Sequence, residues 1–145
     1  MIKRLKILIS IIIISICSFS YAGGPSWKTK VIKYDQLSET SAIVGLRATG
    51  KIYNGFQACN PLTVHIDYRR ESWFQRKTWS KYTTKDKHKE ALNILRSAWK
   101  SDEELEFGYI GGGLVPVNSN DKCEVKVKAI MPLQNKGVVA FHDPV

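Results

Sequence analysis

Apolar residues recur at helical spacing in one long stretch, Lys85 to Lys100, KDKHKEALNILRSAWK. At about 100° per residue, Ile94, Ala98, Ala91, Leu95, His88, Trp99 and Leu92 fall on one broad arc. Lys85, Arg96, Lys89 and Lys100 fall on a narrow stripe beside it. Thr83, with Asp86 three residues on, reads as a capping box that opens the helix with an acid in its first turn. A helix with one apolar arc must bury that arc, and a small curved sheet is the partner the rest of the chain offers.

Elsewhere the pattern alternates with the period of strands. Val31 to Tyr34 predicts a short strand, and Asp35 to Ser41 a polar turn. Ala42 to Ala48, AIVGLRA, is a strand with Gly45 as a bulge or bend. Asn54-Gly55 is the strongest hairpin signal. In Leu62 to Tyr68, Leu62, Val64, Ile66 and Tyr68 share one face, and Thr63, His65 and Asp67 the other. After the helix, Ser101 to Glu104 reads as a solvated connector. Leu105 to Ile110 is a strand with Leu105, Phe107 and Tyr109 on one side, broken by Gly111-Gly112-Gly113. Leu114 to Val117 is a short edge segment, because Pro116 cannot donate to a ladder. Cys123 to Met131 alternates again, with Val125, Val127 and Ala129 opposite Glu124, Lys126 and Lys128.

The order is three strands, one helix, then two strands. The expected fold is mainly β with one central α-helix, a five-stranded OB-fold-like barrel. Residues 42–133 would form that domain. Residues 23–41 would be a leader with the first short strand, and 134–145 a C-terminal tail.

The start of the chain adds a compartment. Lys3, Arg4 and Lys6 precede an apolar run from Leu8 to Ile16, and Ser20-Tyr21-Ala22 offers small residues where a signal peptidase reads. Met1 to Ala22 is expected to be a signal peptide. The run is too short for a comfortable membrane span, so no span is expected after cleavage and the protein is expected to be exported, periplasmic or secreted. Of three cysteines, Cys17 leaves with the signal. Cys59 and Cys123 remain, and two cysteines in an exported protein point to one disulfide. The formal net charge of +9 falls on removal of the basic n-region but stays positive, which favours an anionic ligand.

Lys87 to Met131 resembles the C-terminal half of the pentameric B subunits of cholera-type and heat-labile-type bacterial toxins. The shared pattern is the Lys-rich helix start, the strand ELEFGYI, a turn, and CEVKVKAIMPL closing a barrel. It covers about a third of the chain. The resemblance implies an OB-fold, a ring-forming homo-oligomer and an exported enzymatic A subunit as partner. It implies a channel lined by the helices, here by Lys85, Lys89, Arg96 and Lys100. The family's ganglioside-binding tryptophan would fall near Ile110, where YIGGG has no indole. The family's disulfide begins near the mature N-terminus, whereas Cys59 lies further along. Ganglioside specificity is therefore not carried over.

Catalytic chemistry is not suggested. His65, His88 and His142 lack metal-like spacing, and Gly111 to Gly113 lacks the Lys and Ser/Thr of a phosphate loop. No enzyme activity, metal or cofactor is expected. The segment Arg69 to Tyr82 carries the binding signal, with basic groups interleaved with aromatics. Rings stack sugar faces, and cations pair carboxylates or sulfates. Arg69, Arg70, Trp73, Trp79, Lys81 and Tyr82 are the expected ligand residues. Single-stranded nucleic acid uses the same features, but export argues against it. The sequence thus points to an exported OB-fold binding protein for a glycan or anionic ligand, in its sharpest form a toxin-like B subunit. The alternative is a small periplasmic or secreted inhibitor, or a stress-related envelope protein with no toxin role.

Overall fold

The computed structural model describes residues 26–50, 59–68, 83–110, 115–133 and 136–141. The signal segment, the Asn54-Gly55 hairpin, Gly111 to Gly113 and His142 lie outside them. The described chain is mainly β with one helix. Its strands are β1 (Ser26–Ser38), β2 (Ser41–Ala48), β3 (Leu62–Asp67), β4 (Glu104–Ile110), β5 (Val115–Asn118), β6 (Asp121–Val127), β7 (Ala129–Leu133) and β8 (Gly137–Phe141), and helix α1 is Lys85–Ser101. The strands form one sheet in the order β5-β6-β3-β2-β1-β4-β8-β7. Hydrogen bonds among the described residues do not close that sheet into a ring.

β1 is the backbone of the sheet and is much longer than the expected four-residue strand. It pairs antiparallel with β2 along most of its length and with β4 through its first five residues. Its period explains why the short reading failed. Trp27, Thr29 and Val31 are buried, and then Tyr34 is buried, so the inward parity changes midway. A register shift between Val31 and Lys33 is the cause. The bulge lies over Gly45, where an added Cβ would meet Lys33 Cβ at 3.1 Å and Ile32 Cγ1 at 3.3 Å. Gly45 does mark a bulge, but in the neighbouring strand.

The outward residues of β1 and β4 supply a second reason for their pairing. Lys28 lies opposite Glu106 and Lys30 opposite Glu104. Inward, Trp27 lies opposite Phe107 and their rings tilt at 5.6 Å. Aromatic and opposite-charge cross-strand pairs each contribute about 0.2–1 kcal/mol. Glu104 and Glu106 are therefore strand residues, and only Asp102 and Glu103 separate helix from strand. Asp102 takes the left-handed conformation, φ 55°, that ends the helix, and its carboxylate meets Lys30 Nζ at 3.2 Å.

The helix starts one residue later than its expected cap. Thr84 is the N-cap and accepts from the Lys87 N–H at 3.2 Å. Thr83 is buried instead, and its hydroxyl donates to the Ile130 carbonyl at 3.2 Å. The expected arc holds at its centre. His88, Ala91, Leu92, Leu95 and Ala98 are buried, Ile94 is half-buried, and Trp99 stays 42% exposed.

The C-terminal part departs furthest from expectation. The strand expected from Cys123 to Met131 is two strands, β6 and β7, parted at Lys128. Residues 137–141, expected in a tail, are β8, which runs parallel to β4 and antiparallel to β7. All five of its residues are buried. Val138 and Ala140 join the main core, while Val139 and Phe141 pack with Ala129 in a second cluster. A short all-apolar run such as GVVAF has no alternation to reveal it, as befits a strand covered on both faces.

The disulfide forms as expected, Cys59 to Cys123 across 64 positions. Such a loop contributes roughly 4 kcal/mol in the chain-entropy account. Gly137 is where β8 comes closest to β4. An added Cβ would sit 2.3 Å from the Glu106 carbonyl oxygen. Gly137→Ala should therefore cost roughly 2–4 kcal/mol, read as a lower denaturant midpoint. An unchanged midpoint would refute that packing.

Candidate functional site

The binding candidates Arg69, Arg70, Trp73, Trp79, Lys81 and Tyr82 lie outside the described residues. The proposed channel residues are described, and they are not equivalent. Lys89 reaches across to the turn between β1 and β2, where its Nζ sits 2.8 Å from Glu39 Oε2. That bond, and then the charge itself, lowers the Glu39 carboxyl and raises the Lys89 amine. Lys85 adds to the field on Glu39. Arg96 acts on Tyr34, whose phenol is raised mainly by burial. Lys85, Arg96 and Lys100 are exposed.

The described residues do form a concave site, on the outer face of the sheet. Register builds its floor. Ile43 lies opposite His65, and His65 opposite Lys126, so three consecutive neighbours β2, β3 and β6 present one cross-strand row. Leu37, on β1, and Val117, on β5, stand at the two sides. They are 63% and 44% exposed and frame the row from either side. The groove encloses about 350 Å³, within the range of small-ligand sites. Crossing from β5 to β1 takes four strand spacings, roughly 19 Å along the sheet.

Polar groups gather at one end. Ser41, Asp67 and Lys128 border the groove there, and Lys126 stands in the floor row. His65 was expected to face solvent. It is half-buried, and its Nε2 is hydrogen-bonded to Glu124 Oε1 at 2.5 Å, a diagonal cross-strand contact that fixes the ring over the floor. Groups of three or more His, Cys, Asp or Glu side chains able to hold a metal are absent among the described residues. The arrangement can hold an elongated molecule with an apolar body and an anionic group.

Leu37, Ile43, Val117, Lys126 and Lys128 were not picked out by sequence reasoning as a site. Alternation did place Lys126 and Lys128 outward, and His65 and Asp67 likewise. Their neighbourhood depends on the parallel register of β3 with β6, which no local pattern encodes. Leu37 inside a polar stretch was the one local signal.

No known protein family, curated protein or solved structure matches this chain. The site therefore stands on its own geometry.

The exposure of the two side groups makes a direct test. Leu37→Ser and Val117→Ser should each change stability by less than about 0.5 kcal/mol. Ile66→Ala, in the core beneath, should cost about 2–5 kcal/mol. Equal losses in chemical denaturation would mean that Leu37 and Val117 belong to the core and the groove is an accident of packing.

Proposed function

We propose that this chain is an exported OB-like barrel protein that binds a glycan or other anionic ligand across the outer face of its sheet. The pairing pattern supports the barrel. β1, β2 and β3 form an antiparallel meander, α1 follows β3, β6 lies parallel to β3, and β4 lies antiparallel to β1. This is the pairing of a five-stranded barrel if β4 and β5, separated by residues 111–114, serve as two halves of one strand. β7 and β8 are then an addition to it. OB-folds bind oligosaccharides and oligonucleotides on the face of strands 2 and 3, between the first and last hairpin loops.

The groove carries the reading. It lies on β2 and β3, between the β1–β2 turn and the strand β5, with Lys126 and Lys128 for an anion. Its aliphatic sides offer no ring on which a sugar could stack. The chain leaves the groove at Asp67 and Tyr68 and continues directly into the segment that holds Arg69, Arg70, Trp73, Trp79, Lys81 and Tyr82. We assign stacking to Trp73 and Trp79, and anion pairing to the basic members with Lys126 and Lys128.

A panel of sialylated and sulfated glycans is the test. Lys126→Gln with Lys128→Gln should weaken binding at least roughly tenfold while the melting temperature holds. Full-strength binding by this double variant would move the site off the groove.

The toxin-like form of the proposal adds a ring with an exported enzymatic partner. Lys85, Arg96 and Lys100 of neighbouring helices would repel in such a ring, while Glu39 already neutralises Lys89. Assembly should then strengthen with ionic strength. Sedimentation that shows only monomer from low to high salt would remove the ring and leave a monomeric inhibitor or envelope protein.

A further inference from the structure

We propose that His88 is an acid-operated latch that holds β7 and the β1–β2 turn against α1 and lets them go when its ring gains a proton. The argument rests on what each ring nitrogen touches. Nδ1 faces the Ile130 backbone N–H at 3.1 Å. A backbone N–H can only donate, so Nδ1 must be unprotonated. The proton of the neutral ring is then on Nε2, which donates to the Thr40 carbonyl at 2.7 Å. The neutral ring satisfies both partners in this one tautomer. The imidazolium satisfies only Thr40, because its Nδ1–H would point at another N–H. A side chain with no solvent exposure has no water at hand to make good the loss.

The bonds broken by that proton hold an end strand of the sheet to the helix. Among the described residues β7 pairs with one strand, β8. Its second residue, Ile130, is held to the helical segment by Thr83 and His88, one on its carbonyl and one on its N–H. The Thr40 carbonyl also accepts from the Tyr68 N–H at 3.2 Å, so the same latch closes the β1–β2 turn over the end of β3. That turn leads into Ser41, at the border of the groove.

The groups around the ring set the direction. Burial is the largest influence and lowers its titration; the bond to Thr40 and the Asp67 carboxylate at the end of β3 act against it. The Tyr68 ring meets the imidazole edge-on at 5.1 Å. Glu39, beside Thr40, is engaged by Lys89. Lys85, Asp86, Lys87 and Lys89 flank His88 along α1, and Lys128 precedes Ile130 by two residues. A folded value below the unfolded one means that the folded form binds fewer protons. The stabilisation is complete above the ordinary histidine value of about 6.5 and is lost as pH falls toward the folded value. Acid therefore opens the latch and alkali does not.

Nuclear magnetic resonance on the folded chain, from about pH 7.5 to about pH 4.5, tests this. At neutral pH the ring nitrogens of His88 should show the Nε2–H tautomer. Below the ordinary histidine range, the protection factor of the Ile130 amide should fall roughly tenfold for each pH unit travelled between the two titration values. The amide of Val64, in the centre of the sheet, should keep its protection. Asp67→Asn should move the transition to lower pH. An Nδ1–H tautomer, an Ile130 amide that stays protected while His88 charges, or simultaneous loss of protection at Ile130 and Val64 would each overturn the latch. Ligand binding enters none of these readouts, so the latch and the binding proposal fail separately.

Discussion

One buried imidazole ties together the parts of this fold that local sequence does not join. Ile130 sits in a strand with a single strand partner among the described residues, and both its main-chain polar groups are buried. Leaving either without a partner would cost about 1–3 kcal/mol. Thr83 and His88 satisfy them from the start of the helix, and His88 also reaches the turn between β1 and β2. The helix is thus docked by direction-specific bonds as well as by its apolar arc. Leu92 and Leu95 supply the hydrophobic drive, and His88 and Thr83 fix which strand the arc must meet. The same commitment of a donor and an acceptor on one ring makes the docking sensitive to protonation.

What was legible in the sequence follows from the range of the interactions concerned. The helix, the inward faces of β3 and β4 and the edge position of β5 depend on period and on proline, which act over a few residues. Leu105, Phe107 and Tyr109 were placed on one face by alternation alone, and that face is the buried one. The disulfide followed from cysteine count and compartment. The rest needed contacts distant in sequence. Half of β1 looked like a leader because a bulge at Ile32 reverses its parity, and that bulge exists because β2 offers a glycine opposite. The acidic run after the helix looked like a solvated connector because the lysines that Glu104 and Glu106 face lie over seventy positions earlier. Thr83 looked like a cap until Ile130 claimed its hydroxyl.

The groove shows the same division. Alternation placed His65, Asp67, Lys126 and Lys128 on their faces, but the row Ile43, His65, Lys126 is a product of two registers, one antiparallel and one parallel. The site is therefore a property of pairing between strands, with no single segment to carry a motif. A surface built this way can tolerate change in any one strand so long as the row keeps an apolar start and a cationic end.

The disulfide stands at one end of the parallel ladder that makes this row. Cys59 precedes β3 and Cys123 lies within β6, so the bond ties the two chains just before Thr63 meets Glu124. A slide of one strand of this parallel pair along the other by two residues would keep every apolar side chain inward, so its register rests on β2 and β5 at either side and on this bond. Such a slip would keep the alternation of the strand and put a different residue beside His65. Oxidation thus acts as a covalent ruler. It helps to set which side chains form the outer row, so the layout of the surface is tied to one covalent bond.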